Sequence, residues 1–323
     1  MSEIVQPSIL APPVLDDARP GESTPITFKW SSIPFVLSHF AALGIFFVPF
    51  RWSLVALCLG LYLLKMFAIT GGYHRYFSHR TFKTSRAFQY VLAVLGALSL
   101  QRGALWWAAH HRHHHRYSDQ HGDIHSPGLL GFLRAHVGWI VDAANEDTHY
   151  ERIADFARYP ELVWLNRWHA LPGVLLAIAL FAIGGLPWLF WGFFFSTVLT
   201  WHATFAINSL THMFGRRRFR TTDDSRNSWI LALITLGEGW HNNHHYFKAS
   251  TRQGFFWWEV DVTYYVLRLL AAVGVVWDLK EPPRELVAVA AGPNGELLDP
   301  LRRARHRDAV SAGPGTVADG ATA

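Results

Sequence analysis

The sequence predicts an all-α integral membrane protein in which four transmembrane helices form two hairpins joined to a cytoplasmic helical cap. Three observations indicate this fold: long apolar runs that carry almost no formal charge, basic residues that gather on one side of those runs, and histidine clusters beside the ends of the runs. Apolar runs of about 20 residues are long enough to cross a bilayer as helices. The histidine clusters place the functional part of the chain at one membrane face.

The composition excludes several classes of protein. Hydrophobic residues make up 50% of the 323 residues and charged residues 16%, with 15 Trp, 23 Phe and 10 Tyr. Soluble domains usually carry about 25% charged residues, and Trp and Tyr are enriched at membrane–water interfaces. The single cysteine, Cys58, excludes an intrachain disulfide and a cysteine-ligated metal site. The net charge of +5 lacks the interleaved aromatic residues of a nucleic-acid surface, and the N-terminus does not resemble a signal peptide.

Three apolar stretches contain the four predicted spans. Residues 33–50 carry no formal charge, and residues 52–70 contain one lysine. Residues 171–207 contain no Asp, Glu, Lys or Arg and are interrupted by Gly-Gly-Leu-Pro, which predicts two helices joined by a tight turn. We expect the first of these two helices to begin upstream of the stretch, near Glu161.

The basic residues determine the predicted orientation. The two hairpin tips carry only Arg51 between them, whereas nearly all other Lys and Arg fall in the N-terminal lead, in residues 71–170 and after residue 207. Because Lys and Arg accumulate on the cytoplasmic side, these segments and both termini are expected to be cytoplasmic. The membrane would be the plasma (inner) membrane of a bacterium or the endoplasmic reticulum of a eukaryote.

Two further apolar stretches and the chain ends complete the predicted organisation. A span at residues 87–107 would place histidine clusters that must act together on opposite faces, so we expect this stretch to lie along the interface or under the cytoplasmic part. Residues 262–276 are a weaker candidate span. The predicted divisions are a disordered lead at 1–27, a membrane domain at 28–281 and a mostly disordered tail at 282–323, because both ends lack hydrophobic periodicity.

The 19 histidines are clustered, and their spacing limits what each cluster can do. Residues at i, i+3 and i+4 share a helix face, so three imidazoles at that spacing can point at one place. His74 and His79 would diverge by about 140° on an ideal helix and can converge only if the helix ends or bends between them. Two sets have the i, i+3, i+4 spacing: His111, His114 and His115, and His241, His244 and His245.

Eight or more imidazoles exceed what one ion needs, so the clusters predict two metal ions. Neutral imidazole suits zinc, copper, iron and nickel. Carboxylates of the kind found in the paired Glu-x-x-His motifs of soluble di-iron bundles are nearly absent from the histidine clusters. A Glu-x-x-His does occur within one cluster, at Glu238 and His241, and Glu238 is predicted to orient a ligand without binding the metal itself.

These motifs resemble the three histidine boxes of the membrane fatty-acyl desaturases, and the Δ9-type, stearoyl-CoA desaturase-like acyl-CoA enzymes are the most similar. The resemblance covers about residues 30 to 281 and includes Asn208-Ser-Leu-Thr-His212-Met-Phe-Gly, which is similar to the family's additional ligand segment. It implies two iron ions (Fe2+/Fe3+), with His212 as a ninth imidazole ligand and Asn208 acting through water. The implied ligands are His74, His79, His111, His115 and His245 for one iron, and His114, His212, His241 and His244 for the other.

The remaining histidines are expected to lie outside the metal sites. His113 occupies a variable position of its box, and His110 precedes that box. His121 and His125 fall in a stretch that the family shares. They could orient the metal ligands or be structural, and both alternatives stay open. The histidines predicted to be structural or solvated are His39, His136, His149, His169, His202 and His306.

The resemblance implies that dioxygen oxidises a long-chain acyl substrate to a cis double bond, with two electrons supplied from outside. No flavin, nucleotide or haem motif occurs, so a ferredoxin, a rubredoxin or a b-type cytochrome with its reductase is the expected donor. Animal acyl-CoA members have an Arg-Asp pair where this chain has Ala109 and His110. This difference leaves the acyl carrier open: coenzyme A stays first among the expected carriers, and acyl-carrier protein and membrane lipid are the alternatives.

Tyr62 is expected to close the far end of the acyl tunnel, because it lies 12 residues before His74 on the second span. At about 1.5 Å per residue that distance is about 18 Å. Cys58 lies one turn further on, and the alternative is that Tyr62 faces lipid or a neighbouring helix. Two other functions stay open: a His-rich di-iron alkane or lipid hydroxylase, and a membrane metal carrier, whose ligands should lie inside its spans.

Overall fold

In the computed structural model, which describes residues 25–285 and 287, the chain folds mostly into helices. The α-helices of that part of the chain are α1 (Ile33–Ala42), α2 (Trp52–Phe67), α3 (Arg86–Ala97), α4 (Ala104–Tyr117), α5 (Pro127–Leu130), α6 (Trp139–Val141), α7 (Ala154–Ala157), α8 (Pro160–Arg167), α9 (Leu171–Trp188), α10 (Ser196–Leu210), α11 (Trp229–Ile234), α12 (His241–Tyr246) and α13 (Val262–Ala272).

Tighter and wider helical turns extend several of these helices. The 3-10 segments are Trp30–Ser32, Leu43–Phe47, Ala143–Asn145 and Tyr150–Ile153. The π-helical segments are Ala68–Ser78, Arg134–Gly138 and Leu189–Phe195. Two short strands, β1 (Lys83–Thr84) and β2 (Val276–Trp277), pair antiparallel.

Among the described residues, three helices are long and apolar enough to cross a membrane, which indicates a membrane protein. They are Trp30–Phe47, Trp52–Ser78 and Leu171–Leu210. Their outward side chains are apolar and exposed, as a lipid-facing surface requires; Phe46, Leu59 and Ile178 are examples. The first two helices correspond to the first two predicted spans.

The third apolar helix has an interruption where the sequence predicts a turn. Gly185 has φ +62° and ψ −154°, which are not helical angles, and Pro187 follows it. The side chain of Leu180 lies beside Gly192, so residues before and after the interruption pack together. The predicted upstream start near Glu161 is wrong, because α8 ends at Arg167 and a turn separates it from α9.

Residues 87–107 form no single span, as predicted. Helix α3 ends at Ala97 and α4 begins at Ala104, and between them Leu100 and Arg102 adopt positive φ angles of 55° and 67°. Helix α3 is one of two shorter apolar helices, and α13 is the other. Both are therefore too short to cross a bilayer of about 30 Å at 1.5 Å per residue.

The π-helical end of the second span lies at the centre of the structure. All eleven residues of Ala68–Ser78 are buried. Helix α3 approaches so closely that a side chain at Gly96 would collide with Tyr73. The core around this segment also includes side chains of α4 and α8, among them Leu105 and Leu165. The predicted lead and tail lie largely outside the described residues.

Arg75 connects this segment to the loops around α12. Its guanidinium is fully buried and lies 3.0 Å from Glu238 and 2.9 Å from Asp261, and it also donates to the carbonyl of Thr251 at 2.7 Å. A buried guanidinium with two carboxylates fixes distant parts of the chain against each other because every charge has its partner.

Replacing Arg75 with Met should destabilise the protein by about 3–5 kcal/mol, because Glu238 and Asp261 would remain buried without their counter-ion. The matched control is Arg268→Met, which removes a cation from an exposed pair with Glu281 and should cost less than about 1 kcal/mol. Equilibrium unfolding of the detergent-solubilised protein measures both. Equal losses for the two variants would show that the buried network does not stabilise the fold.

Candidate metal centre

His74 and His79 converge because the helix that carries them widens into a π-helix. The amide of His79 donates to the carbonyl of His74 at 3.2 Å, an i to i+5 bond, and the helical segment ends at Ser78. Residues five apart are stacked in π-helical turns, whereas they diverge in an α-helix. The two rings lie 4.9 Å apart, centroid to centroid. The spacing of His74 and His79 required the helix to bend or end between them, and the π-helical turn meets that requirement.

Helices α4 and α12 each divide their three histidines between two directions. The rings of His111 and His115, at i and i+4, lie 4.5 Å apart, whereas His114 lies 6.2 Å from His111. In α12 the rings of His241 and His245 lie 4.3 Å apart, and His244 lies 6.0 Å from His241. The i, i+3, i+4 spacing allows three imidazoles to point at one place, but in each helix the pair at i and i+4 points one way and the third ring another.

The first cluster brings five imidazoles together from three segments of the chain. The Nε2 atoms of His79 and His111 lie 2.9 Å apart, and that of His115 lies 3.0 Å from His111. The Nε2 atom of His244 lies 2.9 Å from that of His115 and 3.1 Å from that of His74. The members of the first cluster are His74, His79, His111, His115 and His244.

The second cluster contains the other four imidazoles, His114, His212, His241 and His245. The Nε2 atoms of His212 and His241 lie 3.1 Å apart. The buried Nε2 atoms of His114 and His245 have no hydrogen-bond partner among the described residues. The predicted allotment of His244 and His245 is wrong: His245 belongs here because it lies at i+4 from His241 on the same helix face, and His244 points to the first cluster.

The spacing of these nitrogen atoms fits metal coordination. With metal–imidazole bonds of about 2.1 Å, two donors at right angles on one ion lie about 3.0 Å apart. The first cluster shows spacings of 2.9 to 3.1 Å between neighbouring Nε2 atoms. Imidazoles of this kind suit divalent iron, copper, zinc and nickel. Each cluster therefore fits one metal ion.

Four of the nine imidazoles contact a carboxylate through their Nδ1 atoms. Glu238 lies 2.5 Å from His74, and it is the carboxylate that the sequence predicts to orient a ligand. A carboxylate on Nδ1 fixes the tautomer and turns Nε2 toward the metal. In the second cluster the contacts are Asp123 with His114 at 3.0 Å, Asp119 with His212 at 2.6 Å and Asp223 with His245 at 2.8 Å.

These three aspartates were not predicted from the sequence. Asp119 and Asp123 flank His121 in a stretch noted only for its histidines, so a signal was present there. Asp223 lies in the loop between α10 and α11, far from any box, and nothing in its local sequence indicates a contact with His245.

Burial keeps four imidazoles of the first cluster neutral. It lowers the pKa of His79, His111, His115 and His244 well below 6.5, and the neighbouring imidazoles lower these pKa values further. Neutral rings are the form that binds metal, because their lone pairs are free.

In the second cluster, aspartates raise the pKa values of His245 and His114 and so oppose the effect of burial. Burial lowers the pKa of His245 to about 4 although Asp223 opposes the shift. Burial also acts on His114, but Asp123 outweighs it, and the pKa of that imidazole lies above its ordinary value. The pKa of Asp119 falls to about 2 despite burial, because His212 binds the carboxylate.

The other histidines lie outside both clusters. His113 contacts the carbonyl of Gly122 through Nε2, and His110 contacts that of Trp106 through Nδ1. His125 is buried against His114, with ring centroids 4.2 Å apart, whereas His121 is exposed. His39, His202 and His136 form a chain of ring contacts between α1, α10 and the π-helical segment at 134–138. His149 pairs with Glu151, His169 lines a cavity, and His306 lies outside the described residues.

Two cavities meet at the clusters. An apolar cavity of about 250 Å³ extends from Ser31 and His169 to His111 and Asn208. A smaller space of about 30 Å³ continues from His111 and Asn208 past His241 to Met66. Asn208, the residue implied to act through water, therefore lies at the junction of the two cavities and beside members of both clusters.

Tyr62 lies behind the end of this path and does not line it. Its side chain packs against Met66 and Leu236, and its hydroxyl donates to the carbonyl of Ile234 at 2.6 Å. Cys58 is buried one helical turn away. Met66, which was not predicted from the sequence, is the residue of α2 that lines the smaller cavity.

Comparison with known proteins identifies the family. Residues 50–277 match the family described as fatty acid desaturase. The chain belongs to the fatty acid desaturase family. Fatty acid desaturases are oxidoreductases of lipid metabolism, and the two histidine clusters of this chain fit metal sites.

Several characterised relatives are similar over most of their length. The sn-2 palmitoyl-lipid 9-desaturase of Nostoc sp. is 36% identical over 263 residues, which cover 79% of this chain and 91% of that protein. The sn-1 stearoyl-lipid 9-desaturase of Synechocystis sp. is 37% identical over 84% of this chain and 86% of its own length. The acyl-CoA 5-desaturase AL21 of Anemone leveillei is 35% identical, over 80% of this chain and 75% of its own length. The relatives thus include enzymes named for lipid and for acyl-CoA substrates.

The metal-free desaturase should lose stability as the pH falls from 7 to 5. Buried histidines with lowered pKa values, such as His245 at about 4, take up no proton in this range, whereas the same residues in the unfolded chain titrate near 6.5. The unfolded state then binds more protons, so the free energy of unfolding decreases with falling pH. Thermal unfolding of chelator-treated protein measures this; a midpoint that is constant or higher at pH 5 would show that the histidines titrate normally.

Proposed function

We propose that this desaturase uses dioxygen and two iron ions to introduce a cis double bond into a long-chain fatty acyl substrate. The observation that carries the proposal is the junction at Asn208, where two connected cavities are lined by residues of both imidazole clusters. The family membership supports the reaction class, and the donor set supports metal ions that imidazole binds well.

The protein's own residues would hold the ions and the substrate in fixed positions. The first cluster holds one iron and the second cluster, with a water bound by Asn208, holds the other. Bound iron supplies the activation of dioxygen and the removal of two hydrogens from the acyl chain. The chain contributes orientation, because a shift of one carbon at the junction changes the product.

The walls of the acyl path keep the reacting carbons dry. Trp107 and Thr204 line both cavities and therefore lie at the junction. Trp201 and Phe205 add to the apolar wall of the larger cavity. We take the end of that cavity at Ser31 and Arg102, which both contact Glu146, as the mouth of the acyl path. No acid or base is needed beside the acyl chain, so apolar walls suffice to exclude water and to hold the chain in one path.

The double bond position is set by the distance from the mouth to the clusters, and the relatives support a Δ9-type outcome. The acyl group is carried by coenzyme A or by a membrane lipid, the two carriers for which the relatives are named. The mouth offers Arg102, which is paired with Glu146 at 3.2 Å. An assay should therefore present both kinds of substrate.

We infer the following membrane arrangement. The break at Gly185 divides the third apolar helix into two spans, so that four spans form two hairpins. The cap that holds the clusters, together with both termini, faces the cytoplasm by the positive-inside rule. Electrons come from a ferredoxin, a rubredoxin or a b-type cytochrome on that side.

Product analysis tests the proposed reaction. Membranes containing the protein should convert a labelled stearoyl substrate, supplied as CoA thioester or as glycerolipid, to the cis-monounsaturated product when O2 and a reduced carrier are present. Gas chromatography–mass spectrometry identifies the product. A hydroxylated acyl chain would assign the protein to the hydroxylases, and metal uptake without any acyl product would assign it to the carriers.

Paired histidine variants test the ligand assignment. His114→Ala should lower bound iron from about two to about one per chain and abolish the product, because His114 belongs to the second cluster. His113→Ala, one residue away and bonded to a backbone carbonyl, should keep both. Iron is measured by mass spectrometry on purified protein. Full iron content in the His114 variant would remove that residue from the ligand set.

Tyr62 is proposed to limit the length of the acyl tail through Met66. Tyr62→Ala should open space behind Met66 and shift the preference toward chains two or more carbons longer. The double bond position should stay the same, because it depends on the path between mouth and clusters. The product profile from a mixture of C14 to C22 substrates measures both effects, and a profile equal to that of the wild type, at normal iron content, would remove Tyr62 from the end of the path.

A further inference from the structure

A second opening reaches the first cluster from a direction that the acyl path does not use. It is a cleft of about 830 Å³ between the turn after the first histidine box, the short β1–β2 sheet and the α7–α8 region. The cleft and the two acyl cavities share no lining residue. This cleft is therefore a separate feature of the desaturase surface, and the mechanism above leaves it without a role.

His79 joins the cleft to the first cluster. It lines the cleft, and its Nε2 atom lies 2.9 Å from that of His111 inside the cluster. Among the nine imidazoles of the two clusters it is the one that contributes to the cleft wall. A partner seated in the cleft would be one side chain away from the first metal position.

The rim of the cleft is basic. Four cations line it, Arg80, Lys83, Arg158 and Lys280, against two carboxylates, Asp155 and Asp278. All four cations are exposed at the surface. Two of them also form surface pairs, Arg80 with Asp155 at 3.2 Å and Lys83 with Asp278 at 2.7 Å. The rim keeps an excess of positive charge, which attracts an acidic partner and speeds its approach.

The dimensions and chemistry of the cleft select the kind of partner. The opening is wide and solvent-exposed, and Trp277 presents 43% of its surface beside it. Partly exposed aromatic residues surrounded by charge are typical of protein interfaces. An acyl chain already has its own path, so a second substrate entrance is not required.

We propose that a small acidic one-electron carrier protein docks on this cleft and that its electrons enter the first cluster through His79. The inference rests on the proposed function, which needs an outside electron source. Each turnover would oxidise two reduced carriers by one electron each. These two electrons, two protons from water and the two hydrogens of the acyl chain reduce one O2 to two water molecules.

Charge-reversal variants test the docking site directly. The double variant Lys83→Glu/Arg158→Glu reverses two exposed rim cations that lie outside both metal clusters. The matched control is Arg220→Glu, an exposed cation on the loop between α10 and α11 that does not line the cleft. The probes are a plant-type [2Fe–2S] ferredoxin and the soluble domain of cytochrome b5, each titrated against full-length, iron-loaded protein in detergent micelles.

At low ionic strength the double variant should bind the tighter of the two probes about tenfold more weakly than wild type, mainly through slower association. The difference should shrink above about 0.5 M salt, where surface charges are screened. Arg220→Glu should bind like the wild type, and iron content should be equal in all three proteins. Equal affinity of the double variant and wild type, an equal loss in Arg220→Glu, or no saturable binding of either probe would each overturn the proposal.

A separate measurement distinguishes failure of the docking site from failure of the proposed function. Dithionite with a small mediator reduces wild-type protein without any carrier, so product formation under these conditions depends only on the metal sites and the acyl path. Cleft-dependent carrier binding without acyl product would contradict the desaturation and leave the docking surface standing. If the product forms but the cleft substitutions do not change carrier binding, only the proposed docking surface is contradicted.

Discussion

The crowding of neutral imidazoles in a buried volume is the constraint on which the rest of the structure depends. Neighbouring Nε2 atoms in the first cluster lie 2.9 to 3.1 Å apart. Lone pairs at that distance repel one another unless a cation lies between them, so the fold must hold each ring in place from behind. The π-helical turn at His74, the buried Arg75 between Glu238 and Asp261, and the close approach of α3 all serve that end.

The two clusters differ in their electrostatic surroundings. Among the described residues, three aspartates contact imidazoles of the second cluster, whereas Glu238 is the one carboxylate paired with an imidazole of the first, and Glu238 also pairs with Arg75. Carboxylates behind metal-binding imidazoles increase their basicity and favour a higher positive charge on the ion. Two ions in these sites would therefore be inequivalent, and the first cluster, which lies beside the basic cleft, is the less anionic of the two.

The sequence predicted the helical fold and the nine histidines that form the two clusters, because the period of an α-helix fixes which residues on one helix are neighbours. The prediction assigned His244 and His245 to the wrong clusters, although the i+4 spacing of His241 and His245 already favours the pairing that the structure has. The contact between Asp223 and His245 could not be predicted, because Asp223 lies in a loop and helical periodicity does not relate it to any histidine. The turn before Leu171 was missed although the sequence carries a signal for it, because Pro172 lies in the first turn of α9, where proline is favoured.

The division of the nine imidazoles between two ions is the central claim, and an anomalous difference map collected at the iron absorption edge from crystals of the iron-loaded protein tests it most directly. Two peaks are expected, one within bonding distance of His79, His115 and His244, and one within bonding distance of His114, His212 and His245. A single peak, or a peak that His79 and His245 share, would contradict the account.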